Sequence, residues 1–220
     1  MASIRPFRAL RPVPAVAARV SSPPYDVLSI EEARAQADGN PLSFLHVTRP
    51  EIDLPPGTDS HADEVYAQAV RNFEELKRTA PLVLEAEASL YLYRLSAGAH
   101  EQTGLAACYS LDEYDQGLIK KHEHTRRDKE DDRTRHMIAL RAQTGVVFLT
   151  YRASAEVDRV ARRICAAPPL YDFTAADGVR HALWRVDHRD DGSSLVSAFG
   201  RIPALYIADG HHRAASAARA

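Results

Sequence analysis

Apolar positions recur at the spacing of a single helical face between Asp59 and about Arg78, where Val65, Ala69, Phe73 and Leu76 predict one long amphipathic helix. Two further helices are announced by their starts. Ser29, followed three residues later by Glu32, predicts a capping box and a helix that stops at Gly39-Asn40-Pro41. Ser154 predicts a cap, with Val157, Val160, Ala161 and Ile164 on the inner face behind it. Strands are expected at Ser43–Val47, at Tyr91–Leu95 with Gly104–Leu111 as an antiparallel neighbour, and along the apolar run Gly145–Tyr151. Asp177-Gly178 reads as a hairpin turn. A charged helix is expected over Thr125–Gln143, a short one over Ser194–Phe199, and a strand at Ala204–Ala208 that runs into an alanine-rich helix.

Helices and strands are intermixed without regular βα alternation. The expected class is therefore α+β, a mixed sheet flanked by helices with a strand–Asp-Gly–helix turn at the C-terminal end. The 220 residues fit one domain, with a weak sub-boundary near Pro168-Pro169.

Charge narrows the partners. The 28 basic and 30 acidic side chains nearly cancel, so the chain lacks the basic excess of a protein that grips duplex nucleic acid. No apolar run approaches the roughly 20 residues of a membrane span, and the arginine- and proline-interrupted start is no signal peptide. Cys108 and Cys165 have no metal-site spacing and read as reduced thiols. The expected location is the cytoplasm, and a homodimer is left open.

The chemistry concentrates in Asp209-Gly210-His211-His212-Arg213. A buried strand that breaks at Asp-Gly and enters a helix presents backbone amides and a positive dipole end, which favour an anion such as phosphate. Gly210 permits close approach, Arg213 offers a charge-assisted fork, and His211 and His212 lie in the same turn. Asp209 is a candidate to hold Mg2+ or accept a proton. A capped helix with solvated histidines remains the plain alternative on the residues alone.

A second concentration is Lys120–His136. His122, Glu123 and His124 precede a helix whose start is expected at Thr125, with Asp128 as its capping partner; Arg127–Asp131 and Asp131–Arg135 have the spacing of supporting pairs. The first half of that helix has no apolar stripe. His122 and Glu123 are candidate acid–base residues, and His124, Thr125 and Arg126 candidate substrate contacts. Tyr25, Asp26, Asn40 and His46 are minor candidates for lining the same cleft; Trp184, Tyr91 and Tyr93 read as packing residues.

Two resemblances add to this. The DGHHR run resembles the motif of archaeal free-serine kinases, within the superfamily of chromosome-partitioning proteins and sulfiredoxins. There a glycine and an arginine three residues later contact nucleotide phosphates, which Gly210 and Arg213 match. His211 stands where sulfiredoxins carry their cysteine, which argues against that chemistry, and Ser216 stands where partitioning proteins usually have alanine. Over nearly the whole chain, Pro24-Tyr25-Asp26-Val27, Asn40-Pro41, Ser43–Val47, Lys121–Thr125 and DGHHR in this order resemble a bacterial family of proteins of unknown function, the one numbered ten-fifteen. Its members are generally longer, so a truncated form of a longer chain is expected.

The resulting expectation is an ATP- and Mg2+-dependent phosphotransferase acting on a small hydroxyl-bearing metabolite, for example a free amino acid such as serine. The alternatives are a nucleotide-binding switch without turnover and a metal-dependent phosphoester hydrolase.

Overall fold

The computed structural model describes residues 1–220. In chain order its elements are β1 (Ile4–Arg5), β2 (Leu10–Pro12), α1 (Ala17–Val20), α2 (Ile30–Ala37), α3 (Leu45–Thr48), α4 (Asp63–Thr79), β3 (Leu82–Leu84), β4 (Tyr91–Ala97), β5 (His100–Ala106) and β6 (Cys108–Tyr109). There follow α5 (Leu111–Asp115), β7 (Ile119–Lys120), α6 (Arg127–Leu140), β8 (Phe148–Thr150), α7 (Ala155–Ile164), β9 (Tyr171–Thr174), β10 (Arg180–Arg185), α8 (Arg189–Phe199), β11 (Leu205–Asp209) and α9 (His211–Arg219). The class is α+β. The chain forms two compact units, each built from separated segments: a sheet unit of Met1–Ala18, Val83–His122 and Leu149–Ala208, and a helical unit of Arg19–Leu82, Glu123–Phe148 and Asp209–Ala220. Pro168-Pro169 lies within the Leu149–Ala208 segment of the sheet unit.

The sheet unit is organised by an antiparallel sheet of order β5-β4-β10-β9. Its register sets Trp184 opposite Leu92 and Leu183 opposite Tyr93. Strand alternation then places Leu92, Ala182 and Trp184 on one face, where Leu105, Ala161, Ile164 and Cys165 pack against them. Trp184 is a packing residue whose Nε1 donates to the Ala167 carbonyl at 2.7 Å. Ser154 caps α7 as its sequence predicts, and Gly178 supplies the left-handed residue of the β9–β10 turn with φ 80°. β5 starts four residues earlier than expected, because Gly98 at φ 57° closes the hairpin directly after β4 and pairs Ala97 with His100. α8 likewise starts at Arg189, ahead of the expected Ser194, with Asp190 and Asp191 favouring its positive end. A smaller sheet of order β7-β11-β8 contains a parallel pair, β11 with β7.

In the helical unit, both halves of the capping box at Ser29 and Glu32 form, at 2.8 and 3.2 Å. α4 buries the stripe visible in the sequence, Val65, Ala69, Phe73 and Leu76, together with Tyr66. Residues 43–47 correct the expected strand: α3 is a helical turn that buries Leu45, Val47 and Thr48. Five residues of mixed pattern do not separate the two periods, and the Thr48 hydroxyl bonds back to the Phe44 carbonyl at 3.2 Å, as helical residues do. α6 begins at Arg127, capped by Arg126 without a side-chain bond; Thr125, the expected cap, bonds instead to the Glu130 carboxylate. The expected pairs within α6 are replaced as well. Asp131 pairs with Arg219 of α9 at 2.5 Å, and Arg135 pairs with Asp63 of α4 at 2.5 Å.

Candidate functional site

β11 ends at Asp209, and Gly210 follows at φ 93°, ψ 35°, as the cap residue of α9 with no side-chain bond to its first amides. Such a conformation strains any residue with a Cβ, which accounts for the glycine. The first bond of the helical ladder runs from Ala214 N to the Gly210 carbonyl at 2.9 Å. The N–H groups of residues 211–213 therefore precede the ladder. Within this turn His211 and Arg213 are buried, at 5% and 6% exposure, and His212 is half-buried.

Arg213 turns inward. One terminal nitrogen donates to Asp209 Oδ2 at 2.6 Å and lies 3.7 Å from Asp26 Oδ2, and the other donates to the Val146 carbonyl. Its side chain runs between two glycines: a Cβ on Gly210 would stand 3.1 Å from its Cζ, and one on Gly145 would stand 3.0 Å from its Cδ. The guanidinium fork read from the sequence as open to phosphate is thus engaged inside the protein. It joins the first turn of α9 to the Tyr25-Asp26 turn and to the loop before β8.

The second concentration of chemistry meets the first. Glu123 Oε2 lies 3.5 Å from His211 Nδ1, and the Arg126 backbone N–H donates to His212 Nε2 at 3.1 Å. Glu123 and His124 are exposed, as is His122, the last residue of its segment of the sheet unit. Thr125 and Arg126 are less available than expected: the threonine hydroxyl bonds to Glu130, and the Arg126 guanidinium is paired with Asp128 at 2.5 Å. Two carboxylates here are largely exposed: Asp209 at 65%, with one oxygen bonded to Arg213, and Glu123 at 62%.

A family model described as "Protein of unknown function (DUF1015)" matches residues 4–220. The chain belongs to the DUF1015 family. No curated protein and no solved structure matches it.

In this DUF1015 chain the structure also supplies residues that sequence reading missed. Arg133 of α6 lies over the Tyr25 ring at 4.3 Å, and its neighbour Asp132 accepts from Tyr66 Oη at 2.7 Å and pairs with Arg133 at 2.6 Å. Burial raises the Tyr25 hydroxyl above its ordinary range, against the pull of Arg133. Burial works against ionisation of Asp132 too, yet Arg133 and the Tyr66 bond hold it below the usual carboxylate range. The signal for this network was the apolar gap in the first half of α6, where ionic and hydroxyl contacts do the holding. Ser216 belongs with it: fully buried, it donates to the Glu130 carbonyl at 3.2 Å, joining α9 to α6.

The minor candidates separate. Tyr25 and Asp26 join Arg133 and Arg213, whereas Asn40 and His46 line a different cleft at the end of α2.

Proposed function

We propose that the opening of α9 seats the phosphates of a nucleotide, and that the protein transfers a phosphoryl group from it to a small hydroxyl-bearing metabolite. One observation carries the reading. Two charged segments more than eighty residues apart meet at a helix start whose cap is a left-handed glycine, with Glu123 at 3.5 Å from His211 and Arg126 N–H on His212 at 3.1 Å. Amides at a helix start attract phosphate oxygens, and phosphoryl transfer needs a base beside them to orient the attacking hydroxyl. In this reading Glu123 is that base, and its neighbour His122 serves as the alternative. His124, Thr125 and Arg126 form the rim that an acceptor passes.

The residues present fit a magnesium nucleotide in part. Gly210 leaves the seat without a Cβ, and the Asp209 oxygen not bonded to Arg213 would hold Mg2+, the ion that would offset phosphate charge. Arg213 does not fit as a fork. It acts as a strut that fixes the turn and places a positive charge beneath it, partly offset by Asp209 and Asp26.

The test is calorimetric titration with ATP and magnesium, followed by ADP detection against a panel of hydroxylated metabolites. Micromolar binding, lost in Gly210→Val, and ADP release with at least one acceptor, abolished in Glu123→Gln, are the expected results. Absence of nucleotide binding sinks the reading. Binding that never yields ADP with any acceptor replaces it with a nucleotide-responsive switch.

A further inference from the structure

α2 ends at Ala37, and the chain turns at Gly39 with φ 67°. Arg34 and Ala37 of α2, residues 38–41, His46, Ile52 and Asp53 line an open cleft of about 330 Å3. This lies at the small end of the range for ligand pockets, roughly 300–1,000 Å3. Ala37, Pro41 and Ile52 give it apolar wall.

Most of its polar groups are engaged by the protein. His46 Nδ1 lies 2.9 Å from Asp53, and Nε2 lies 3.3 Å from the Asn40 carbonyl. Asn72 donates to Asp53 at 2.7 Å, and the Asn40 amide donates to the Arg19 carbonyl at 2.8 Å. Arg34 differs. Its Nε donates to the Ile52 carbonyl at 3.1 Å, and its two terminal nitrogens make no hydrogen bond or ion pair within the protein. Asp38 follows α2 as an exposed acceptor.

We propose that this cleft binds a small carboxylic acid, gripped by the two terminal nitrogens of Arg34. A planar carboxylate matches the guanidinium fork through two parallel charge-assisted bonds. Asp38 and the negative end of the α2 dipole stand beside that fork. They favour a ligand bearing a hydrogen-bond donor next to its carboxylate and repel a second carboxylate. The cleft's polar pairs are already closed, so a ligand adds contacts to Arg34 and Asp38 without breaking His46 from Asp53. This inference does not rest on the nucleotide reading, since no residue of the α9 turn lines the cleft.

The test is a titration of the 15N-labelled full chain with acetate, glycolate, glycine, methylammonium and malonate at constant ionic strength. Saturable shifts at Arg34 Nε and the Gly39 and Ile52 amides are expected with acetate, tighter by threefold or more with glycolate or glycine, and none with methylammonium or malonate. Arg34→Gln is expected to weaken acetate binding at least tenfold. Asp38→Asn is expected to erase the preference for glycine and, by removing a negative charge beside the fork, to let both acetate and malonate bind more tightly than they bind the parent chain. Shifts that fail to saturate, that chloride reproduces, or that survive Arg34→Gln overturn the proposal. So does equal binding of malonate and glycolate.

Discussion

Each unit encloses one charge between two opposite ones, and the two arrangements differ in how they are closed. In the helical unit, Arg213 is 6% exposed and faces Asp209 and Asp26, whose side chains are 65% and 34% exposed. In the sheet unit, Glu85 is 6% exposed and faces Arg11 at 2.5 Å and Arg185 at 3.7 Å, whose side chains are only 18% and 29% exposed. The partners of Arg213 reach water and can be exchanged. Of those of Glu85, Arg11 is largely out of water and depends on the carboxylate, while Arg185 also lies 3.5 Å from the exposed Asp187. A buried pair that loses one member is left with an uncompensated charge, which costs more than the pair was worth. The sheet arrangement is therefore read as structural. The helical one has the openness a ligand-responsive turn requires.

That contrast sets an order of effects. Glu85→Gln leaves the shielded Arg11 guanidinium without a counter-charge, Arg185 keeping Asp187 at 3.5 Å, and is expected to lose about 3 kcal/mol of unfolding free energy. Arg213→Gln leaves two carboxylates that solvent reaches, and a loss of about 1–2 kcal/mol is expected. Urea denaturation of both variants measures the difference. Equal losses would show that partner exposure does not govern the cost, and would remove the distinction between a closed and an exchangeable site.

Gly210→Ala comes next. The new Cβ meets a left-handed backbone and stands 3.1 Å from the Arg213 guanidinium. Strain of this kind costs of order 1–3 kcal/mol. Gly145→Ala is the matched control, since its Cβ meets the Cδ and Cγ of the same side chain at 3.0 and 3.7 Å and its backbone is not left-handed. Thermal melting should rank Gly210→Ala below Gly145→Ala, with nucleotide affinity falling only in the first. The reverse ranking would place the strain in the 145 loop and not in the α9 turn.

Two histidines of the helical unit give the comparison a pH axis. His136 is buried on the Val47 carbonyl at 2.9 Å, and burial, reinforced by Arg133, depresses its pKa to about 4. The unfolded chain takes up that proton near 6.5 and the folded chain does not, so stability falls as pH drops from 6.5 towards 4, by roughly 3 kcal/mol in total. His46 runs the other way: its bond to Asp53, opposed by burial, raises its pKa. Its contribution is complete below 6.5 and is lost as pH rises through the elevated folded value. Urea melts between pH 4 and 8 should therefore show an acid decline that His136→Gln removes, and an alkaline decline that His46→Gln removes. A flat profile contradicts both assignments.

How much of this was readable beforehand follows from the range of the forces. The capping box at Ser29, the α4 stripe, the Ser154 cap and the Asp177-Gly178 turn are local and were legible. The α3 turn was misread because its burial comes from neighbouring elements and not from its own period. The glycine turn of DGHHR was visible from residue types alone. The direction of Arg213 was not, because it depends on Asp26 and Val146, 187 and 67 residues away. Glu85 carried no signal at all, since its partners lie 74 residues before it and in β10. The interleaving of the two units was hidden for the same reason.

The smallest expected effect is at Ser216, and it separates packing from chemistry at α9. The position faces α6, with Ala214 and Ala215 buried beside it, and small side chains let the two helices approach. The hydroxyl donates to the Glu130 carbonyl, an acceptor that lies in the interior of α6 and keeps its helical partner when the serine is removed. Ser216→Ala therefore deletes a donor and its bond together and strands no buried group. Its expected cost is about 0.5–1 kcal/mol, the net value of one neutral hydrogen bond. Alanine also fits the space without steric change, so nucleotide affinity at the far end of the same helix should stay within twofold of the parent. A loss of tenfold in affinity with unchanged melting would mean that the α6–α9 contact sets the geometry of the turn itself. The strut role given to Arg213 would then have to be shared with Ser216.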